Sequence, residues 1–182
     1  MKKRGDAIVL IGFMGAGKSS VGRTLARMTG LGRFDTDEIV ASRFRLAISE
    51  IFEVHGEEKF REAETETLRG LVGKGQAIIV TGGGIVLRPE NVTLLRALGT
   101  IFYLSANEEI LFTRISRRTT RPLLQTANPR ATLRELLAAR LPLYRSAADV
   151  EVDTSRLKHE EVAKKILESL EDYGRGKVNS EG

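Results

Sequence analysis

The 182-residue chain contains no cysteine. That excludes a disulfide framework, a thiolate metal site and a cysteine nucleophile, and it fits a reducing, cytoplasmic setting. Tryptophan is absent too, and aromatic residues make up only 5%. So few rings, hardly any of them near the basic residues, cannot supply the stacking platforms of a single-stranded nucleic-acid binder. No stretch approaches the ~18 apolar residues of a membrane span. The start, "MKKRGDAIVLIGFMGAGK", has the basic-then-apolar order of a secretory signal. Asp6, Gly12, Gly15 and Lys18 interrupt it, so it reads as part of the folded chain. Acid is locally scarce as well. Between Thr113 and Arg130 stand Arg114, Arg117, Arg118, Arg121 and Arg130, with no Asp or Glu. The formal charge is +5, and without those five arginines the remaining 24 basic residues match the 24 acidic ones. The excess is therefore one patch, suited to a compact anion rather than to a duplex backbone. A soluble monomer with no nucleic-acid or membrane partner is expected.

Apolar residues make up 41% and charged residues 29%, enough for one ordinary hydrophobic core. "AIVLI" (7–11), "AIIV" (77–80) and "TIFYL" (100–104) are short continuous apolar runs, as in strands buried on both faces. "RFDTD" suits the end of a second strand and "VEV" (150–152) a fifth. Helical periodicity falls between them. Ile48, Ile51 and Phe52 share one face, and Phe60, Ala63, Thr67, Leu68 and Leu71 another, which suggests a helical hairpin. Pro142 reads as a signal that a helix ends just after Arg140. Such alternation predicts an α/β fold, a parallel sheet with helices on both faces, as a single domain over 1–173. After Tyr173 the sequence is polar and Gly-rich, so 174–182 is expected to be a disordered tail. Ligands of such sheets bind at the carboxyl ends of the strands.

"GFMGAGKSS" (12–20) matches G-x-x-x-x-G-K-[ST], follows a strand and opens a helix, which is the context that motif requires. Glycines let successive backbone N–H groups curl towards one anion, and the helix N-terminus adds positive potential. Gly15, Ala16, Gly17, Lys18, Ser19 and Ser20 are thus the candidate phosphate cradle. Lys18 is expected to reach the terminal phosphates and Ser19 to ligate Mg²⁺. A ligand-free Gly-rich turn is the alternative. No NKxD guanine-reading sequence occurs, and "AIIV" ends in Thr81 and glycines with no Asp, so the metal-side carboxylate must come from elsewhere.

Asp35, at the expected end of the second strand, fills that gap as a ligand of Mg²⁺, direct or through water. Residues i and i+2 of an extended segment point the same way. Asp37 is then expected to face the same crevice, where it could orient a substrate hydroxyl or merely cap the next helix. Arg61 in "EEKFREAE" has a bland alternative as a surface i,i+3 partner of a glutamate. Gly82, Gly83 and Gly84 directly follow a strand, and a ligand lying against the backbone is the stronger reading of such a run. Arg140 in "ARLPLYR" could simply complement a helix C-terminus.

Taken in order, "GFMGAGKSS", "DTD", "FREAE", "TGGG", "RPLL" and "RLPLYR" resemble the shikimate kinase family, over about residues 7 to 170. The resemblance implies a three-layer α/β/α fold of the nucleoside-monophosphate-kinase type. Its parts would be a five-stranded parallel sheet, a helical substrate-binding insertion at about 36–64 and a lid at about 114–128. It implies ATP and Mg²⁺ as co-substrate and metal, and phosphorylation of the 3-hydroxyl of shikimate. By the same resemblance Lys18, Asp37 and Arg121 would be catalytic, and Ser19 and Asp35 would serve the metal. Asp37, Arg61, Gly82, Gly83, Gly84 and Arg140 would hold the substrate, with Arg61 and Arg140 on its carboxylate. Arg114, Arg121 and Arg156 would lie against the nucleotide. Arg33, Arg45 and His159 depart from the family's usual residues. A kinase for another small acid, such as gluconate, and a nucleotide-binding regulator without kinase activity are the competing readings.

Overall fold

The five expected strands pair into one sheet in the computed structural model, which describes residues 5–117 and 126–178. They are β1 (Ala7–Ile11), β2 (Arg33–Asp35), β3 (Ile78–Val80), β4 (Gly99–Ser105) and β5 (Val150–Asp153), in the order β2-β3-β1-β4-β5. Every neighbouring pair is parallel. β1 lies at the centre and is buried at all its positions, which is why it reads as an unbroken apolar run rather than an alternation. Because all strands run the same way, the segments after Ile11, Asp35, Val80, Ser105 and Asp153 emerge along one edge.

The helices are α1 (Lys18–Thr29), α2 (Thr36–Phe44), α3 (Ile48–Leu71), α4 (Pro89–Leu98), α5 (Glu108–Ser116), α6 (Pro129–Ala147) and α7 (His159–Val178), with a 3₁₀ turn at Ile85–Leu87. α1 packs on α7, and α3 on α4, completing a three-layer α/β/α fold around the sheet. Among the described residues no helix is long and apolar enough to cross a membrane.

α2 and α3 carry a small core of their own, Val40, Ile51, Phe60 and Ala63, joined by Phe44, Leu46, Ile48 and Phe52. The two faces expected of the hairpin fall on either side of Gly56, whose φ of 80° and ψ of 166° break α3. Arg45 closes α2 with a φ of 56°, the one positive value on a non-glycine residue among those described. An L-residue in that region is disfavoured by ~1–2 kcal/mol, and glycine regains part of this while adding freedom to the unfolded chain. Arg45→Gly is therefore expected to raise the melting temperature by about 1–3 °C, measured by calorimetry.

Two sequence expectations change. Pro142 does not end a helix: it sits inside α6, which continues to Ala147. The missing N–H weakens one turn, but Leu133, Arg140, Tyr144 and Ala147 are buried along the same helix and keep it on course. α7 runs on to Val178, through part of the expected tail; 179–182 lie outside the described residues. So do 118–125 of the expected lid, with Arg118 and Arg121.

Candidate active site

The loop after β1 turns back at glycines that nothing else could replace. A Cβ on Gly12 (φ 146°) would stand 2.5 Å from the Leu104 carbonyl oxygen, and Gly17 (φ 97°) enters α1 in the left-handed region. Lys18 arches over this loop, its Nζ donating to the Gly12 and Phe13 carbonyls at 2.7 and 3.0 Å. Its charge is thereby held at the centre of the cradle, where a phosphate can take it over. Ser19 is exposed beside it, whereas the Ser20 hydroxyl accepts from Arg23 at 3.3 Å.

The far side of the loop is braced. Arg114 donates to the Gly15 carbonyl at 3.3 Å, to Thr154 Oγ1 at 3.2 Å and to the Thr154 carbonyl at 2.9 Å. Thr154 Oγ1 in turn donates to the Ala16 carbonyl at 3.1 Å. A lone threonine after a strand carries no signal in the sequence, and its bracing role shows only once β5 lies beside the loop. Arg156 is exposed in the bend beyond β5. The ring of His159, which opens α7, lies 3.8 Å from where a Gly17 Cβ would be. Arg130, counted with the basic patch, instead pairs with Glu109 at 2.7 Å and stacks on Phe112.

The two aspartates divide differently from expectation. The strand ends at Asp35 and α2 begins at Thr36, so they are not successive same-side residues of one extended segment. Asp35, not Asp37, is the cap: its Oδ1 accepts the Asp37 backbone N–H at 3.1 Å. Its Oδ2 accepts from Ser19 Oγ at 3.5 Å and from Arg33 at 3.2 Å. Two hard oxygens, Ser19 Oγ and Asp35 Oδ2, thus meet at the mouth of the cradle. That donor set fits Mg²⁺, which takes one or two protein oxygens and completes its shell with phosphate and water. Among the described residues no group of three or more His, Cys, Asp or Glu could hold a metal ion by itself.

Asp37 rides the first turn of α2 and is aimed at the glycine run. A Cβ on Gly82 would stand 2.5 Å from Asp37 Oδ1 and 2.9 Å from Glu64 Oε1. A Cβ on Gly84 would collide with the Arg61 guanidinium. Gly83 faces the cradle, 3.4 Å from the Met14 nitrogen by the same measure, and its carbonyl accepts from Tyr144 Oη and, at 3.5 Å, from Arg140. Arg140 is buried and lies over the Phe13 ring. Arg61 lies beside the Phe52 and Phe60 rings. The Tyr144 hydroxyl, pushed up by burial, is pulled back by both Arg140 and Arg61. The two guanidinium groups, from α6 and α3, therefore converge on one crevice with Asp37 and the three glycines.

Arg61 is also a helical ion-pair partner, bonding Glu57 at 3.0 Å and Glu64 at 2.6 Å. The bland reading and the functional geometry coexist. Glu64 is the i,i+3 partner that the sequence offered, but its burial in the crevice was not foreseen. It is fully buried at 0% exposure, and its Oε1 has no hydrogen-bond partner among the described residues. Burial pushes its carboxyl up to about 7, although the Arg61 guanidinium pulls the other way. Glu57 and Glu64 look alike in the sequence, because which side of α3 meets the glycine run is set by tertiary packing.

The comparisons with known proteins point to one family. A family model for shikimate kinase matches residues 14–171. The chain is 46% identical over 171 residues to the shikimate kinase of Thermodesulfovibrio yellowstonii, covering 94% of this chain and 98% of that one. It is 45% identical over 166 residues to the shikimate kinase of Bordetella pertussis, covering 91% and 79%. Among solved structures, the shikimate kinase of Acinetobacter baumannii in complex with shikimate superposes with a TM-score of 0.88 at 37% identity, covering 93% and 94%. On the fold, the crevice and these matches together, the chain belongs to the shikimate kinase family.

Proposed function

We propose that the chain transfers the γ-phosphoryl group of ATP to the 3-hydroxyl of shikimate, giving shikimate 3-phosphate and ADP. The observation that carries this is the convergence of Arg61, Arg140 and Asp37 around Gly82, Gly83 and Gly84, directly beside the phosphate cradle. Guanidinium forks suit a carboxylate because they bind it through paired charge-assisted hydrogen bonds. Asp37 suits a hydroxyl, and the bare glycine backbone lets Asp37 and Arg61 come close to it.

Phosphoryl transfer needs positioning and charge neutralisation more than covalent chemistry. Lys18 exchanges its two loop carbonyls for phosphate oxygens. The backbone N–H groups from Gly15 to Ser20 hold the chain of phosphates, with Arg114 and Arg156 on the nucleotide side. Asp37 orients the 3-hydroxyl towards the γ-phosphorus and accepts its proton as the new P–O bond forms and the bond to ADP breaks. Ser19 Oγ, with Asp35 directly or through water, would hold Mg²⁺, which would supply neutralisation of phosphate charge. The α2–α3 hairpin, with its own core, is the substrate-side insertion. The test is ADP release from ATP·Mg²⁺ with shikimate, with gluconate and with no acceptor. Turnover with shikimate alone is expected; equal turnover with gluconate would favour a broader small-acid kinase, and none with either would favour a nucleotide-binding regulator.

Glu64 gives this site a pH dependence. Below about 7 its carboxyl keeps its proton, and Arg61, still paired with Glu57, has one charged carboxylate fewer to share with a substrate. Above that, an ionised Glu64 shares Arg61, and a second carboxylate in the crevice meets repulsion. Shikimate affinity should therefore fall as pH rises through about 7. Binding should also take up a proton, because the incoming anion favours the protonated form. Calorimetry in buffers of different ionisation enthalpy is expected to show uptake at pH near 7 that vanishes on the acid side and in Glu64→Gln. Equal heats in all buffers would count against it.

A further inference from the structure

Arg33 occupies the oxygen that a metal would need. Residues 33 and 35 of β2 project to the same side of the strand, and Arg33 Nη1 donates to Asp35 Oδ2 at 3.2 Å. That is the oxygen 3.5 Å from Ser19 Oγ, whereas Oδ1 is committed to the Asp37 N–H. Asp35 is buried and the Arg33 side chain is only 19% exposed, so the pair is shielded from the solvent screening that makes surface ion pairs weak. The second guanidinium nitrogen, Nη2, already grips both oxygens of Glu38, at 3.0 and 2.8 Å. Glu38 is 60% exposed and lies on the outer side of α2. The Arg33 stem lies beside α1, its Cδ 3.7 Å from where a Gly22 Cβ would stand. Glu38 offers the guanidinium a partner other than Asp35 Oδ2.

We propose that Arg33 is a built-in rival of the divalent cation for Asp35 Oδ2, and that Glu38 is the partner to which it withdraws when the cation binds. A guanidinium and a dication on one carboxylate oxygen repel each other strongly in a partly buried setting. Without nucleotide, Arg33 wins: the protein offers only Ser19 and Asp35, too few oxygens for the metal. With nucleotide, phosphate charge tips the balance and Arg33 yields Oδ2 while keeping Glu38. The chain therefore binds free metal poorly and takes it as the metal–nucleotide complex, and an empty site does not leave Asp35 buried without a counter-ion. This rests on Asp35 being the metal-side carboxylate of the proposed phosphotransfer site.

The test is titration of the full chain with Mn²⁺, free Mn²⁺ being followed by its electron paramagnetic resonance signal, with and without ADP. Arg33→Met is expected to tighten Mn²⁺ binding without nucleotide by about tenfold or more, since it removes a full opposing charge. Glu38→Gln is expected to weaken Mn²⁺ binding in the presence of ADP severalfold, because Arg33 loses its fallback and stays on Asp35. Glu38 is exposed, so this second variant serves even if Arg33→Met fails to fold. Wild-type Mn²⁺ affinity in either folded variant would overturn the proposal. Asp35→Asn separates the two levels. If it abolishes ADP-dependent Mn²⁺ binding while Glu38→Gln changes nothing, the metal site stands and the role of Arg33 falls. If Asp35→Asn leaves Mn²⁺ binding intact, the placing of the metal on Asp35 falls, and the proposal with it.

Discussion

Asp37→Asn is expected to lower kcat for shikimate by ~10²–10⁴, the span of a positioned general base, while the affinity for ATP stays close to that of the wild type. Asp37 sits on the first turn of α2, with Oδ1 at the surface of Gly82. An amide there keeps the size and one acceptor oxygen, but it can neither take the hydroxyl's proton nor favour the charge that develops on it. The proposed nucleotide contacts lie elsewhere, on the loop from Gly15 to Ser20 and on Arg114. An ordinary aspartate is a weak base, at a pKa of about 3.9, so orientation is expected to account for much of the loss. Single-turnover kinetics separate the two contributions. If orientation dominates, the wild-type rate shows no more dependence on acid than that of Asp37→Asn. If proton transfer dominates, the wild-type rate falls with acid and the variant's does not. A kcat within about threefold of wild type, against the ~10²-fold floor above, would remove Asp37 from the chemistry.

The parts of this site that the sequence made legible are those whose signal is local. The phosphate loop is one continuous stretch, and its strand before and helix after are short-range patterns, so β1 and α1 fall where expected. The buried strands were legible because both faces of a parallel sheet are covered and the apolar runs are unbroken. Asp35 and Asp37 were found as candidates but with the wrong geometry, since an extended reading could not foresee that α2 begins at Thr36 and uses Asp35 as its cap. Pro142 misled because local preference yields when the helix on either side of it is anchored in the core by Leu133, Tyr144 and Ala147. Thr154 was not legible in this role, and Glu64 only as an i,i+3 partner of Arg61, not as a buried member of the crevice. Each acts across the fold, Glu64 from α3 onto the Gly82 backbone and Thr154 from the end of β5 onto Ala16. Neither contact leaves a trace in the spacing of nearby residues.

Loss of Arg61 or Arg140, the arginines proposed for the substrate carboxylate, should show mainly in KM. Arg61→Ala and Arg140→Ala are each expected to raise the KM for shikimate by ~10²–10³, the equivalent of one or two charge-assisted hydrogen bonds to a desolvated carboxylate. The KM for ATP should move less than that for shikimate, least of all in Arg61→Ala, since the Arg140 guanidinium lies over the Phe13 ring of the phosphate loop. The two variants differ in what else they disturb. Arg61 leaves behind Glu64, buried and with its ion-pair partner gone; the carboxyl then stays protonated to higher pH, which limits the damage to stability. Arg140 leaves a void beside Phe13 and takes a donor from the Gly83 carbonyl, which keeps Tyr144 as its other partner. Arg140→Ala should therefore lose more thermal stability than Arg61→Ala. A substrate analogue with the carboxylate replaced by a neutral amide gives the decisive comparison. If the arginines act on the carboxylate, wild type and both variants turn the amide over with similar kcat/KM, because the interaction that distinguishes them has been removed from the ligand. If the variants remain equally impaired on the amide, the arginines shape the crevice rather than grip the acid, and the assignment of the substrate's anionic end to this side of the glycine run fails.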